Sequence, residues 1–104
     1  MSKILEDIKS IKILAERVHA HLIKNKINKA INEVKQIIDL DQDELARLQR
    51  EHGDQRLLQE STRVLNAAKK ALHDLESIES FDEAKELIDR IIAIEEHEIR
   101  GHPL

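Results

Sequence analysis

The sequence predicts an all-α fold, an antiparallel up-down-up-down four-helix bundle that residues 1–104 form as a single domain. Three observations support this prediction. The residue types that favour helices most strongly, Leu, Ala, Glu, Lys, Gln and Arg, dominate the chain together with Ile. Apolar residues recur at the three- and four-residue intervals of one helix face along almost the whole chain. Two Gly and one Pro are too few for the frequent turns of a β-sandwich or barrel.

The first helix is predicted over residues 3–24, where one narrow apolar stripe comprises Ile4, Ile8, Ile11, Ala15, Val18 and Leu22. At residues 24–28 the stripe moves around the helix by roughly 110°. Either a turn or a phase slip within one long helix explains this change. Because a continuous helix over residues 3–51 would be roughly 75 Å long, the pattern favours a turn.

The second helix is predicted over residues 28–51 and ends before Gly53, a residue type common just beyond helix ends. The third and fourth helices are predicted over residues 55–78 and 81–99. Ser80 and Glu83 have the spacing of a capping box at the start of the fourth helix. The short connections between the four segments predict that consecutive helices are antiparallel neighbours.

Two acidic residues fall within apolar stripes, Asp41 and Glu95. Asp41 and Glu44 also fit a capping box, so an alternative interpretation breaks the second helix at residues 39–43. Asp41 is accordingly predicted to be a helix cap or to lie at a local break. Glu95 is predicted to be a boundary residue at a solvated end of the bundle. The acidic run at 39–43 does not continue as a calcium loop, because Glu44 and Arg50 occupy the positions that require Gly and Glu.

Composition excludes several functional classes. The absence of Cys excludes disulfides and thiolate chemistry. The formal charge of −4, with Phe81 as the one aromatic residue, argues against nucleic-acid binding by counterion release or base stacking. No apolar run is long enough to cross a membrane and no signal-peptide core is present, so a cytoplasmic protein without a membrane partner is expected. No cofactor is expected.

The six His residues are the main chemical signal in the sequence. Glu16 and His19 have the Glu-x-x-His spacing of di-iron bundles. The predicted helix directions place His73 towards the same end of the bundle as His19. Glu16, His19 and His73 are therefore the candidate metal ligands of this sequence.

The segment His21-Leu22-Ile23-Lys24-Asn25 resembles the His-x-Leu/Ile-Lys-Gly segment of histidine-phosphotransfer bundles, which are of comparable size and architecture. The resemblance covers five residues and departs from the family at Asn25, where the family has Gly. It implies that His21 accepts a phosphoryl group from a response regulator and that Lys24 helps to neutralise the charge.

No catalytic set is recognisable from residue spacing, so the chain is expected not to be an enzyme. Several apolar residues fall outside the main stripes or widen them, namely Leu5, Ile13 and Ile23 on the first helix and Ile92 on the fourth. An apolar face wider than one core requires often contacts another chain. The sequence therefore predicts an interaction or assembly module that binds a protein partner or itself, most simply as a two-fold homodimer through helices 1 and 4. A phosphotransfer module and a metal-binding bundle are the alternatives.

Overall fold

A computed structural model describes residues 3–50, 55–77 and 81–101. These residues form four α-helices: α1 (Lys3–Ile23), α2 (Ile27–Arg50), α3 (Gln55–Ser77) and α4 (Phe81–Arg100). Each helix begins and ends within one residue of its predicted bounds, so the predicted helices are confirmed. The capping box at Ser80 and the segment around Gly53 lie outside the described residues.

The helices pack as a four-membered ring. Among the described residues, α1 and α3 each contact both α2 and α4, whereas α1 and α3 lie diagonally opposite each other, as do α2 and α4. Side-chain pairs fix the directions: Asp7 near the start of α1 meets Arg47 near the end of α2, and His19 near the end of α1 meets Asp89 in the first half of α4. Lys70 in the second half of α3 lies 3.4 Å from Glu83 near the start of α4. Consecutive helices are therefore antiparallel, and the predicted up-down-up-down bundle is confirmed.

A tight turn joins α1 to α2, so the alternative of one long helix with a phase slip is wrong. Asn25 has a left-handed backbone conformation, with φ of 59°. The amide of Lys26 donates to the carbonyl of His21, and the amide of Asn25 donates to that of Leu22. These two bonds are those of a Schellman motif, which satisfies the last carbonyls of a helix and reverses the chain.

The turn gives a test of its own. Replacing Asn25 with Ala is expected to lower the free energy of unfolding by about 1 kcal/mol, because a Cβ disfavours the left-handed conformation, which Asn tolerates. Asn25→Gly is expected to stay within about 0.5 kcal/mol of the wild type. Urea denaturation checks both values, with the exposed helical residue Asn32 replaced by Ala as the control. Equal stability of the Ala and Gly variants would contradict the turn geometry.

The helix α2 is continuous over residues 39–43, so the alternative break at that point is wrong. Apolar side chains from all four helices form one contiguous core, which includes Val18 from α1, Ile37 from α2, Ala68 from α3 and Ile88 from α4. Phe81 packs against this core and is half-buried. Within the described residues, no helix is long and apolar enough to cross a membrane.

Candidate functional site

The phosphotransfer candidates lie at the α1–α2 turn. His21 is half-buried, and its Nε2 atom lies 3.0 Å from Oε1 of Glu33 on α2. Lys24 is exposed just beyond the end of α1. A phosphoryl group on Nε2 would have to displace the Glu33 carboxylate, which is itself an anion. The role of His21 as a phosphoacceptor stays a prediction.

The three predicted metal ligands are not brought together. Glu16 pairs with Lys12 at 3.1 Å, and His19 Nδ1 lies 3.1 Å from Oδ1 of Asp89 on α4. His73 is exposed on α3, diagonally opposite α1. Across residues 3–50, 55–77 and 81–101, no three His, Cys, Asp or Glu side chains are arranged to hold a metal ion.

The predicted interaction residues differ in exposure. Ile13 and Ile23 on α1 are 50% and 62% exposed, and they are the two exposed large apolar side chains among the described residues. Leu5 is half-buried. Ile92 on α4 is also half-buried and packs against the core, so part of its surface is already used within the chain.

The core itself contains acidic residues that sequence reasoning placed elsewhere. On α2 the buried residues recur at alternating intervals of four and three residues: Ala30, Val34, Ile37, Asp41, Glu44 and Leu48. On α4 the same interval runs through Ala84, Ile88, Ile91, Glu95 and Glu98. The four acids therefore occupy successive core positions on two diagonally opposite helices. We call Asp41, Glu44, Glu95 and Glu98 the carboxylate layer.

Two sequence expectations are corrected by these positions. Asp41 is fully buried within a continuous helix and is not a cap, and Glu95 is 1% exposed and is not a boundary residue. Both side chains face the direction that the helical periodicity predicts, but the neighbouring helices exclude the water that was expected around them. Sequence reasoning assigned no buried role to Glu44 or Glu98, although both continue the core spacing of their helices.

The other two helices contribute polar groups to the same end of the bundle. The Ser61 hydroxyl on α3 lies 3.0 Å from Oδ1 of Asp41, to which it donates, and 3.4 Å from Oε1 of Glu44. Asp7 on α1 accepts a 2.8 Å hydrogen bond from Nη1 of Arg47. We call this region the layer end, where α1 and α3 begin and α2 and α4 end.

Two of the four carboxyl groups are held in the neutral form. Burial, and after it the charge of Asp41, raises the pKa of Glu44 to about 9. Burial, and after it the charge of Glu98, raises the pKa of Glu95 to about 10. Taking an ionised carboxylate out of water without a compensating partner is unfavourable, so each group keeps its proton at neutral pH.

The other two carboxyl groups titrate near neutrality. Burial raises the pKa of Asp41 to about 6, although the hydrogen bond from Ser61 favours its ionised form. Burial raises the pKa of Glu98 to about 7, while the hydrogen bond with Glu95 acts in the opposite direction. The acids thus form two pairs, in which the neutral Glu44 donates a hydrogen bond to Asp41 and the neutral Glu95 donates one to Glu98.

Hydrogen bonding in the layer depends on these protons. Oδ2 of Asp41, Oε2 of Glu95 and Oε2 of Glu98 are buried and accept no bond from another donor among the described residues. A carboxylate oxygen can only accept, so a proton on a neighbouring carboxyl group is what links one acid to the next. The arrangement can store and exchange protons among its members.

Comparison with known protein-family models, curated proteins and solved structures gives no match.

Proposed function

We propose that this protein is a non-enzymatic assembly module that pairs with a second copy of itself through the outer face of α1. The observation that carries the proposal is the exposure of Ile13 and Ile23, at 50% and 62% of their surfaces. Large aliphatic side chains left in water on one helix favour contact with another apolar surface.

The positions of these side chains suit a two-fold contact. Ile13 is the central residue of α1, which runs from Lys3 to Ile23. Leu5 and Ile23 are eighteen residues apart, about five helical turns, and so they lie on the same side of α1. Ile13 lies about 80° around the helix from both, so the three side chains span a face of roughly that width. If two α1 helices meet antiparallel, Ile13 lies beside its own copy near the symmetry axis. Leu5 of each chain then lies near Ile23 of the other, which makes the surface self-complementary.

The expected association is weak. Completing the burial of a half-exposed Ile side chain contributes about 1 kcal/mol, and a two-fold contact uses each such side chain twice. Association itself costs at least several kcal/mol in lost translational and rotational freedom. These two contributions nearly cancel, so the dissociation constant is expected to be no lower than about 100 μM.

Analytical ultracentrifugation from about 10 μM to about 1 mM tests this proposal. The wild type is expected to shift from monomer to dimer, and Ile13→Lys is expected to remain monomeric because two lysines would meet at the symmetry axis. Ala46→Lys adds the same charge at an exposed position on α2 and should dimerise like the wild type. A wild type that stays monomeric throughout, or an Ile13→Lys variant that still dimerises, would refute the α1 interface.

A further inference from the structure

We propose that the carboxylate layer is a pH-sensitive switch, which keeps the layer end of the bundle closed while its acids share protons and loosens that end when the protons are lost. This property is independent of dimer formation. It concerns buried groups of the single chain, whereas the α1 interface concerns exposed ones.

The packing around the layer allows this end of the bundle to open locally. The contiguous apolar core does not include Ile8 and Leu48, although both are almost completely buried. Both lie at the layer end, one near the start of α1 and the other near the end of α2. On α2, Asp41 and Glu44 lie between Leu48 and Ile37, which belongs to the main core. Opening of this end can therefore leave the main core intact.

The charges that face the layer do not neutralise it. From α1 it is approached by Asp7, and from α2 by Arg47, which pairs with Asp7. From α3 both Arg56 and Glu60 act on Glu98. Within the part of the chain that the structure describes, these four groups comprise two acids and two arginines, so their formal charges cancel. Full ionisation of the layer would therefore add four negative charges at one end of the core, and like charges repel strongly at low dielectric.

The direction of the pH effect follows from the same groups. All four pKa values are raised above those of unfolded Asp and Glu, so the folded chain binds more protons than the unfolded chain. The contribution of these four groups to the free energy of unfolding is therefore greatest below about pH 4, and it falls as the pH rises. Asp41 and Glu98 lose their protons nearest to neutrality, whereas Glu44 and Glu95 extend the fall to about pH 9–10.

Carboxyl 13C NMR of the wild-type chain tests directly whether the buried acids keep their protons near neutral pH. The resonances of Glu44 and Glu95 are expected to titrate above pH 7, and titration of both below about pH 5 would overturn the proposal.

Hydrogen exchange, corrected for intrinsic rates, measures the loosening of the layer end. Between about pH 5 and pH 8, protection is expected to fall at least tenfold at residues 41–48 and 94–98, with a smaller change at 30–34 and 84–88. Equal changes in both regions would rule out a local switch.

A matched pair of variants on α2 completes the test. Glu44→Gln removes one proton site from the layer and is expected to reduce the pH-dependent loss of protection. Asp43→Asn changes the adjacent exposed acid and is expected to leave this loss of protection unchanged. If both variants lose protection as the wild type does, the layer is not the switch.

Millimolar Mg²⁺ or Mn²⁺ is expected to leave the wild-type protection unchanged. Full protection of the layer end at about pH 8 in either cation would instead identify a divalent-cation site and overturn the proton switch.

Discussion

The Glu95→Gln variant is expected to be more stable than the wild type by about 2–4 kcal/mol at about pH 8, and within about 1 kcal/mol of it at about pH 4. Burial raises the pKa of Glu95 to about 10, so the folded chain must keep a proton that the unfolded chain releases above about pH 4.5. Gln is nearly the same shape, carries no charge at any pH, and its amide can still donate to Glu98. The substitution therefore removes the free-energy cost of keeping a proton on this side chain in the folded chain at high pH, and it preserves the packing.

Urea denaturation at the two pH values measures this difference. Glu86→Gln, an exposed position on the same helix, serves as the control and is expected to change stability by less than about 0.5 kcal/mol at both pH values. A Glu95→Gln variant whose stabilisation is the same at low and high pH would show that packing, and not ionisation, explains its effect. A destabilised variant at about pH 8 would show that Glu95 is ionised in the folded chain.

Replacing Arg47 with Met is expected to destabilise the bundle by about 2–3 kcal/mol at neutral pH. The Arg47 guanidinium lies 2.8 Å from the Asp7 carboxylate, and Asp7 is almost completely buried. Met preserves much of the aliphatic length of Arg but leaves the charge of Asp7 without this partner beside Glu44. That charge already contributes to the raised pKa of Glu44, so removing its counterion increases repulsion within the layer end.

The same denaturation assay distinguishes this loss from a general effect of removing a cation. Arg50→Met, three residues further along α2 and exposed, is expected to cost less than about 0.5 kcal/mol. Adding Asp7→Asn to Arg47→Met is expected to restore about half of the lost stability, because the buried charge is removed as well. Equal costs for Arg47→Met and Arg50→Met would contradict a structural role for the Asp7–Arg47 pair.

The helices were predictable because their apolar positions keep one phase over five or six turns. On α1 this phase correctly identified Ile8, Ile11 and Val18 as buried. The move of the stripe after Leu22 also located the turn, since an Asn there tolerates the left-handed conformation that a Schellman motif requires. Local sequence therefore contained the information for both features.

The carboxylate layer was less predictable, because phase gives the direction of a side chain and not its surroundings. Asp41 falls in the middle of an apolar stripe, yet Asp is also a common cap residue, and the local pattern favours the cap. Its surroundings include Ser61 and Glu98, which lie on other helices and far along the chain. The signal that was present is collective: two acid pairs, each three residues apart, lie at core positions near the same end of the bundle.

The acids also determine which alignment of the helices is favourable. The core residues of α2 and α4 follow the same spacing, so their apolar parts alone would fit equally well after α4 slid by seven residues. In that alignment Glu95 and Glu98 would remain paired with each other, but they would face Val34 and Ile37 and lie away from the attraction of Arg56. Their desolvation would then be less well compensated. The layer that lowers stability at high pH thus also discriminates against misaligned bundles, which a purely aliphatic core would accept.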